Sequence, residues 1–220
     1  NTAYDAGTAG TISGLGDEAV TLTDTTLAAS VLNTVDGNTS GAVNASTVTT
    51  LTGAAADANT AYTANTAGTI SGLGDEAVTL TDTTVAASVL NTLDGNTSGA
   101  VNASTVTALT GTGADALTAF NSAGISGLTF DATSYLASHA DLLNAFGSDT
   151  SAARTHYFEY GVTEGRSFDS FDESSYLASH ADLLTVFGTN TSSALIHYVN
   201  NGYSEGTVSY THLTLPTRLS

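Results

Sequence analysis

The sequence predicts an α/β chain: a parallel β-α solenoid of stacked repeats over residues 1–128, followed by a small all-α repeat region over residues 129–207. Three observations carry this. The segment Gly10–Thr49 recurs as Gly68–Thr107, 58 residues on, with only Leu27 replaced by Val85 and Val35 by Leu93. A second kind of unit, Phe130–Leu143, is echoed by Phe171–Leu184, 41 residues on. Within the first repeat, β-type alternation gives way to helical spacing, whereas the second reads as helical throughout.

In the 58-residue repeat, Ala19–Thr23 alternates apolar and polar residues with β-formers and predicts a strand. Asp24 or a following threonine is placed to cap a helix whose apolar face is Leu27, Val31, Leu32 and Val35, ending at Asp36-Gly37-Asn38. The second half repeats this logic. Ala42-Val43 and Thr47–Thr52 are extended, Gly53 breaks them, and Ala54–Ala64 is an alanine-rich helix holding Tyr62. Val48, Leu51 and Ala55 also fit helical spacing, so that stretch reads either way. Each repeat then amounts to two β-α turns of about 29 residues. One such turn cannot bury its own apolar face, so strands of successive turns are expected to pair in parallel beneath a row of helices. A third copy starts at Leu117 and runs to Leu128, three residues shorter near its beginning.

The 41-residue unit opens at Asp131 and Asp172, N-cap candidates for a helix containing Tyr135 and Leu136. Ser138 is placed to cap the next helix, His139–Phe146, which stops at Gly147. Thr150 is placed to cap Ser151–Tyr160, closed by Gly161. Ala153/Ala194, His156/His197 and Tyr157/Tyr198 fall at i, i+3 and i+4, a shared face expected to pack on the first helix.

Composition narrows the function classes. Twenty-one acidic residues against three arginines and no lysine give a formal charge of −18, a field that repels phosphate backbones and anionic lipids; nucleic acid is not an expected partner. Zero cysteine removes disulfides, thiolate metal sites and cysteine nucleophiles. No apolar run reaches the length of a membrane span. With aromatics at 7% and no tryptophan or methionine, any core must be thin and rich in small residues.

No catalytic or cofactor-binding residue is predicted. His139/His180 and His156/His197 lack cysteine partners and the His-x3-His spacing of zinc sites, so they read as capped or packed histidines. Asp17-Glu18, Asp75-Glu76, Glu164 and Glu205 read as solvated turn carboxylates, since acid-base work needs a buried pair across a cleft. Calcium is the one metal the acidic turns admit, with Asp17, Asp36, Asp75 and Asp94 as candidates, although neither the EF-hand loop nor the glycine-rich nonapeptide is present. No Gly-x-Ser-x-Gly elbow occurs. Sequons fall at Asn38, Asn44, Asn96, Asn102 and Asn190, as chance allows in a chain this rich in Asn, Thr and Ser.

The chain begins mid-pattern at Asn1. Residues 208–220 depart from the repeat and hold the single proline; Val208–Thr217 resembles the in-frame translation of a sequencing-library adapter, which implies a non-native end on a metagenomic fragment.

Gly-Leu-Gly-Asp-Glu-Ala-Val-Thr-Leu-Thr-Asp with Gly-Ala-Val-Asn-Ala-Ser-Thr-Val-Thr resembles the repeats of very large surface or secreted proteins of marine bacteria, cyanobacteria among them. Tyr-Leu-Ala-Ser-His-Ala-Asp-Leu-Leu, then His-Tyr, then Gly-x-x-Glu-Gly-Arg, is similar to a short helical repeat of exported bacterial proteins found beside calcium-dependent repeats. That family usually has Asn-Pro before the Asp where this chain has His139-Ala140 and His180-Ala181, and its last arginine is Thr207 here. The resemblances imply an extracellular or cell-surface, non-catalytic, structural or adhesive segment. Its partners would be neighbouring repeats, surface glycans or other surface proteins. The alternative they leave is a targeting or carbohydrate-binding appendage of a secreted enzyme.

Overall fold

A computed structural model describes residues 16–206. The N-terminal part is α/β with parallel sheets of repeating β-α units, and the C-terminal region is all helical. Two compact units part between Thr129 and Phe130, with Val162–Gly165 grouped with the first. The tail from residue 208 lies outside the described residues, as does the start of the chain.

The first β-α unit is β1 (Val20–Thr21), β2 (Thr26–Ala28) and α1 (Ala29–Asn38); the second is β3 (Val43–Asn44), β4 (Thr50–Gly53) and α2 (Ala55–Ala67). The third runs β5 (Ile70–Ser71), β6 (Ala77–Leu80) and β7 (Thr84–Ala86) before α3 (Ala87–Asn96), and the positions equivalent to β5 ahead of the first unit lie outside the described residues. Then come β8 (Val101–Asn102), β9 (Ala108–Thr110), α4 (Gly113–Asn121) and β10 (Ile125–Ser126). Strands pair in parallel in three sheets, β1-β3-β5, β10-β8-β6-β4-β2 and β7-β9.

The registers stack like on like. Val20 pairs with Val43 and Val43 with Ile70; Leu27 pairs with Leu51 and Leu51 with Val78; Val78 pairs with Val101 and Val101 with Ile125. Strand β6 therefore serves twice, as partner of β4 on one side and of β8 on the other. Helix starts at Ala29, Ala55 and Ala87 make the two turns of the period 26 and 32 residues long, about the expected 29 each. The longer turn carries a third strand, and the row passes through β6 from one repeat to the next. The ambiguous stretch resolves as strand, with Leu51 buried in β4 and Val48 buried in the turn before it.

Helix packing supplies the second layer. Helix α1 packs on α2, α2 on α3 and α3 on α4. The faces that meet hold Ala58, Ala61, Ala116 and Ala119, all buried, with Leu32, Leu90 and Leu93 as the larger core residues. Small side chains let the helices approach closely, and asparagine amides then bridge to backbone carbonyls of the neighbour: Asn33 Nδ2 to Asp57 O, Asn59 Nδ2 to Val89 O and Asn91 Nδ2 to Asp115 O, each at 2.9 Å. Val31, expected on the buried face of α1, is 38% exposed, and Leu27 lies in β2 rather than in the helix.

Capping differs from the sequence expectation. Helix α1 starts straight out of β2, its N-cap Ala28 extended and without a side-chain cap, so neither Asp24 nor a threonine caps it. The equivalent Asp82 instead accepts from the Ala55 N–H, 2.8 Å away, at the head of α2. Because β7 intervenes before α3, the carboxylate is left beside the preceding unit's helix, where it satisfies an orphan donor and the helix dipole across the unit boundary.

The helical region contains α5 (Ala132–Ser138), α6 (Ala140–Phe146), α7 (Thr150–His156) and a π-type turn at Tyr157–Gly161. The pattern repeats as α8 (Glu173–Ala178), α9 (Ala181–Phe187), α10 (Thr191–His197) and a π-type turn at Tyr198–Gly202. Asp131 and Asp172 cap α5 and α8 as expected. Ser138 does not cap α6. Its hydroxyl donates to Ser134 O and accepts from the Ser170 N–H, and the N-cap is His139 without a side-chain bond. Asp149, not Thr150, caps α7, its carboxylate accepting from the Ser151 and Ala152 N–H groups while Thr150 is already the first helical residue; Asn190 caps α10, accepting from the Ser193 N–H. Both units close on an aromatic cluster. Phe130 stacks on Tyr157 at 4.6 Å and Tyr135 meets Tyr157 edge-on at 5.0 Å; Phe171 stacks on Tyr198 at 4.4 Å and Tyr176 meets Tyr198 at 5.1 Å.

Candidate functional site

The carboxylates of the Asp-Glu turns divide in the fold. Asp17 and Asp75 are exposed, but Glu76 is 0% exposed, which corrects its reading as a solvated turn residue. Strand β6 turns the side chain inward next to Tyr62 on α2. Tyr62 Oη donates to Glu76 Oε2 at 3.0 Å and the Gly74 N–H donates to the same oxygen at 2.9 Å, while Oε1 is buried with no partner. Burial pushes the Tyr62 phenol well above its ordinary value. Thr97 Oγ1 donates to Glu76 O at 2.7 Å, so three segments converge on one residue.

Glu18 holds the equivalent position near the start of the described residues. Its carboxylate accepts from the Gly16 N–H at 2.7 Å, a backbone bond that holds it below the usual carboxylate value, and its carbonyl accepts from Thr39 Oγ1. Chemically, the Tyr62–Glu76 pair is sealed. With both side chains buried it has no face toward a substrate, and the geometry suits a clasp between units. The sequence carried a signal for it. Tyr4 precedes Glu18 by the same interval as Tyr62 precedes Glu76, and where the third copy has Phe120 the Asp-Glu turn is replaced by Phe130-Asp131.

The calcium candidates do not come together. Asp36 Oδ2 accepts from Thr69 Oγ1 at 3.1 Å, its Oδ1 being buried without a partner, and Asp94 Oδ2 accepts from Ser122 Oγ at 2.6 Å. Both belong to last helical turns and fasten the segment that follows the next helix. The shortened third copy has no threonine at that place and supplies Ser122 instead. Among the described residues no three of His, Asp and Glu converge in a way that could hold a metal ion.

The histidines are packed between helices. Tyr135 Oη shares a hydrogen bond with His156 Nδ1 at 3.0 Å, and Tyr176 Oη does so with His197 Nδ1 at 2.9 Å. His139 Nε2 meets Ser167 O at 2.7 Å, and burial pushes this imidazole below its usual value. His139 and Asp141 do not act as a pair: Arg166 Nη1 takes both oxygens of Asp141, at 3.0 and 2.8 Å. Asp169 and Glu173 are raised by burial and by nearby carboxylates, Asp131 among them. Asp131 and Asp172 spend their oxygens on capping, so this acidic group is not an open ligand set. A groove of about 160 Å³ lies along Leu177, Ala178, Leu184 and Thr191, and one of about 250 Å³ along Phe187, Ile196 and Asn200.

No known protein family, characterised protein or solved structure matches the chain. No helix among the described residues is long and apolar enough to cross a membrane.

Proposed function

We propose that the chain is a non-catalytic structural or adhesive repeat segment of a large secreted or cell-surface bacterial protein. In this reading its β-α units form a solenoid of stacked repeats and its helical units a small all-α repeat region. One observation carries the reading: the polar side chains that recur from copy to copy are engaged with the neighbouring unit. Thr39 and Thr97 donate to Glu18 O and Glu76 O, Thr47 and Thr105 to Leu22 O and Leu80 O, and Asn33 and Asn91 to the carbonyls of Asp57 and Asp115. Groups used this way hold an array together and extend it. What they leave outward is an acidic surface rich in Thr, Ser and Asn, suited to salty media and to many weak contacts with glycans or other surface proteins.

The test is attachment. Displayed on the surface of a non-adherent bacterium, the chain should confer adhesion to cells or polysaccharide-coated supports, and tandem duplication of the displayed chain should increase it more than twofold through multivalency. Tight one-to-one binding of the soluble chain to a single polysaccharide, without any gain on duplication, would replace this reading with that of a carbohydrate-binding appendage.

A further inference from the structure

The two helical units present the same face in two different states. In the first unit, Ser134, Ala137 and Leu143 are buried; in the second, their equivalents Ser175, Ala178 and Leu184 are exposed, Leu184 at 45%. The difference has a visible cause. Helix α10 and the π-type turn after it pack on α5, and Tyr203 Oη donates to Ala140 O at 3.1 Å and accepts from Asn144 Nδ2 at 2.8 Å. Leu195, Val199 and Tyr203 lie at i, i+4 and i+8, one stripe that Tyr203 orients toward the first unit, and Leu195 and Val199 are buried. On α8 the corresponding surface is the open groove along Leu177, Ala178 and Leu184.

We propose that this groove is the docking surface for a third helical unit of the same kind, presented in sequence after the second. The occupant is defined by the interface already in the chain. It is a short helix running into a π-type turn, with apolar residues where the second unit has Leu195 and Val199, and a tyrosine where it has Tyr203. Ser175 and Ala178 are small enough to admit that helix as closely as Ser134 and Ala137 admit α10. Tyr203 bonds a backbone carbonyl at Ala140; the equivalent Ala181 carbonyl accepts from Thr185 Oγ1 at 2.8 Å, a bond the incoming tyrosine would share or displace. Leu184, 45% exposed, adds the apolar surface such a helix would cover. The inference extends the repeat-segment reading to the helical units, and its test leaves adhesion aside, so either can fail alone.

The experiment extends the chain after Gly206 by a second copy of residues 166–206, which brings its own connecting segment. Hydrogen exchange at Ser175–Ser179 should slow by about tenfold or more relative to the unextended chain, and the added unit should itself be protected. Ala178→Arg should abolish the slowing in the extended chain while leaving the melting of the unextended chain unchanged, since Ala178 is exposed there. Unchanged exchange at Ser175–Ser179, or an added unit without protection, overturns the proposal. So does concentration-dependent protection of the same amides in the unextended chain, which would make a second copy of the chain the occupant.

Discussion

Glu76 and Tyr62 tie α2 to the turn before β6 from a buried place. Glu76→Ala strips acceptors from the Tyr62 hydroxyl and the Gly74 N–H in a buried place, a loss of about 1–3 kcal/mol measurable by denaturant melting. Tyr62→Phe also destabilises, because it removes a donor from a buried carboxylate, and the double variant should cost less than the two single losses added. Burial raises the Tyr62 phenol, so the folded chain keeps a proton that the unfolded chain releases near the ordinary value of 10. Stability from this group is therefore complete below pH 10 and is lost as pH climbs above it, and Tyr62→Phe should flatten that alkaline limb in a pH-dependent melting series. The Tyr/Glu spacing was present in the sequence, but burial of the Glu was not. Two adjacent acids in a glycine-rich turn look alike in one dimension, and only β6 decides that Asp75 points out and Glu76 in.

At the scale of single elements, two glycines four positions apart have opposite roles. Gly95 lies in α3 and a Cβ there meets nothing, so Gly95→Ala should raise stability by roughly 0.5–1 kcal/mol. Gly99, just past the helix, passes so close to the Glu76 carbonyl that a Cβ would collide with backbone; Gly99→Ala should lower the melting temperature, the opposite sign in the same assay. Asp82→Ala removes the cap lent to α2 and should cost about 1 kcal/mol, with faster hydrogen exchange in the first turn of α2 rather than of α3. In the helical region His139 is lowered by burial, so the unfolded chain takes up a proton that the folded one refuses. Its contribution is whole above the ordinary value of 6.5 and declines as pH falls below it, a limb that His139→Gln should remove. Helix existence was readable from periodicity and from Gly147 and Gly161. Cap identity was readable at Asp131 and Asp172 but not elsewhere, because Ser138 spends its hydroxyl on Ser134 and Ser170, Thr150 is already the first residue of α7, and β2 separates Asp24 from α1.

For the whole molecule, the period of 58 and the change of unit near Leu128 were plain in the sequence, and the parallel pairing followed from the need of each unit to cover its neighbour. The double pairing of the strand holding Val78 was not legible, because Val20 and Val78, identical in context, each look like the first strand of a unit. Only three-dimensional register shows β6 also serving as the last strand of the preceding one. A test at this scale is insertion before Gly68. One further copy of residues 10–67 should fold with unchanged ellipticity per residue and a higher melting temperature, whereas a half-length insert of 29 residues should not fold cooperatively, since it leaves Leu51 without a partner strand like β6.

The double pairing of β6 joins the two full repeats through a single strand shared by both. Recombination between near-identical copies that adds or removes one full period would join Leu51-type to Val78-type strands as before, with no new interface to evolve. Reach thus becomes a quantity a lineage can adjust in steps of one repeat, while the chemistry of the surface stays fixed.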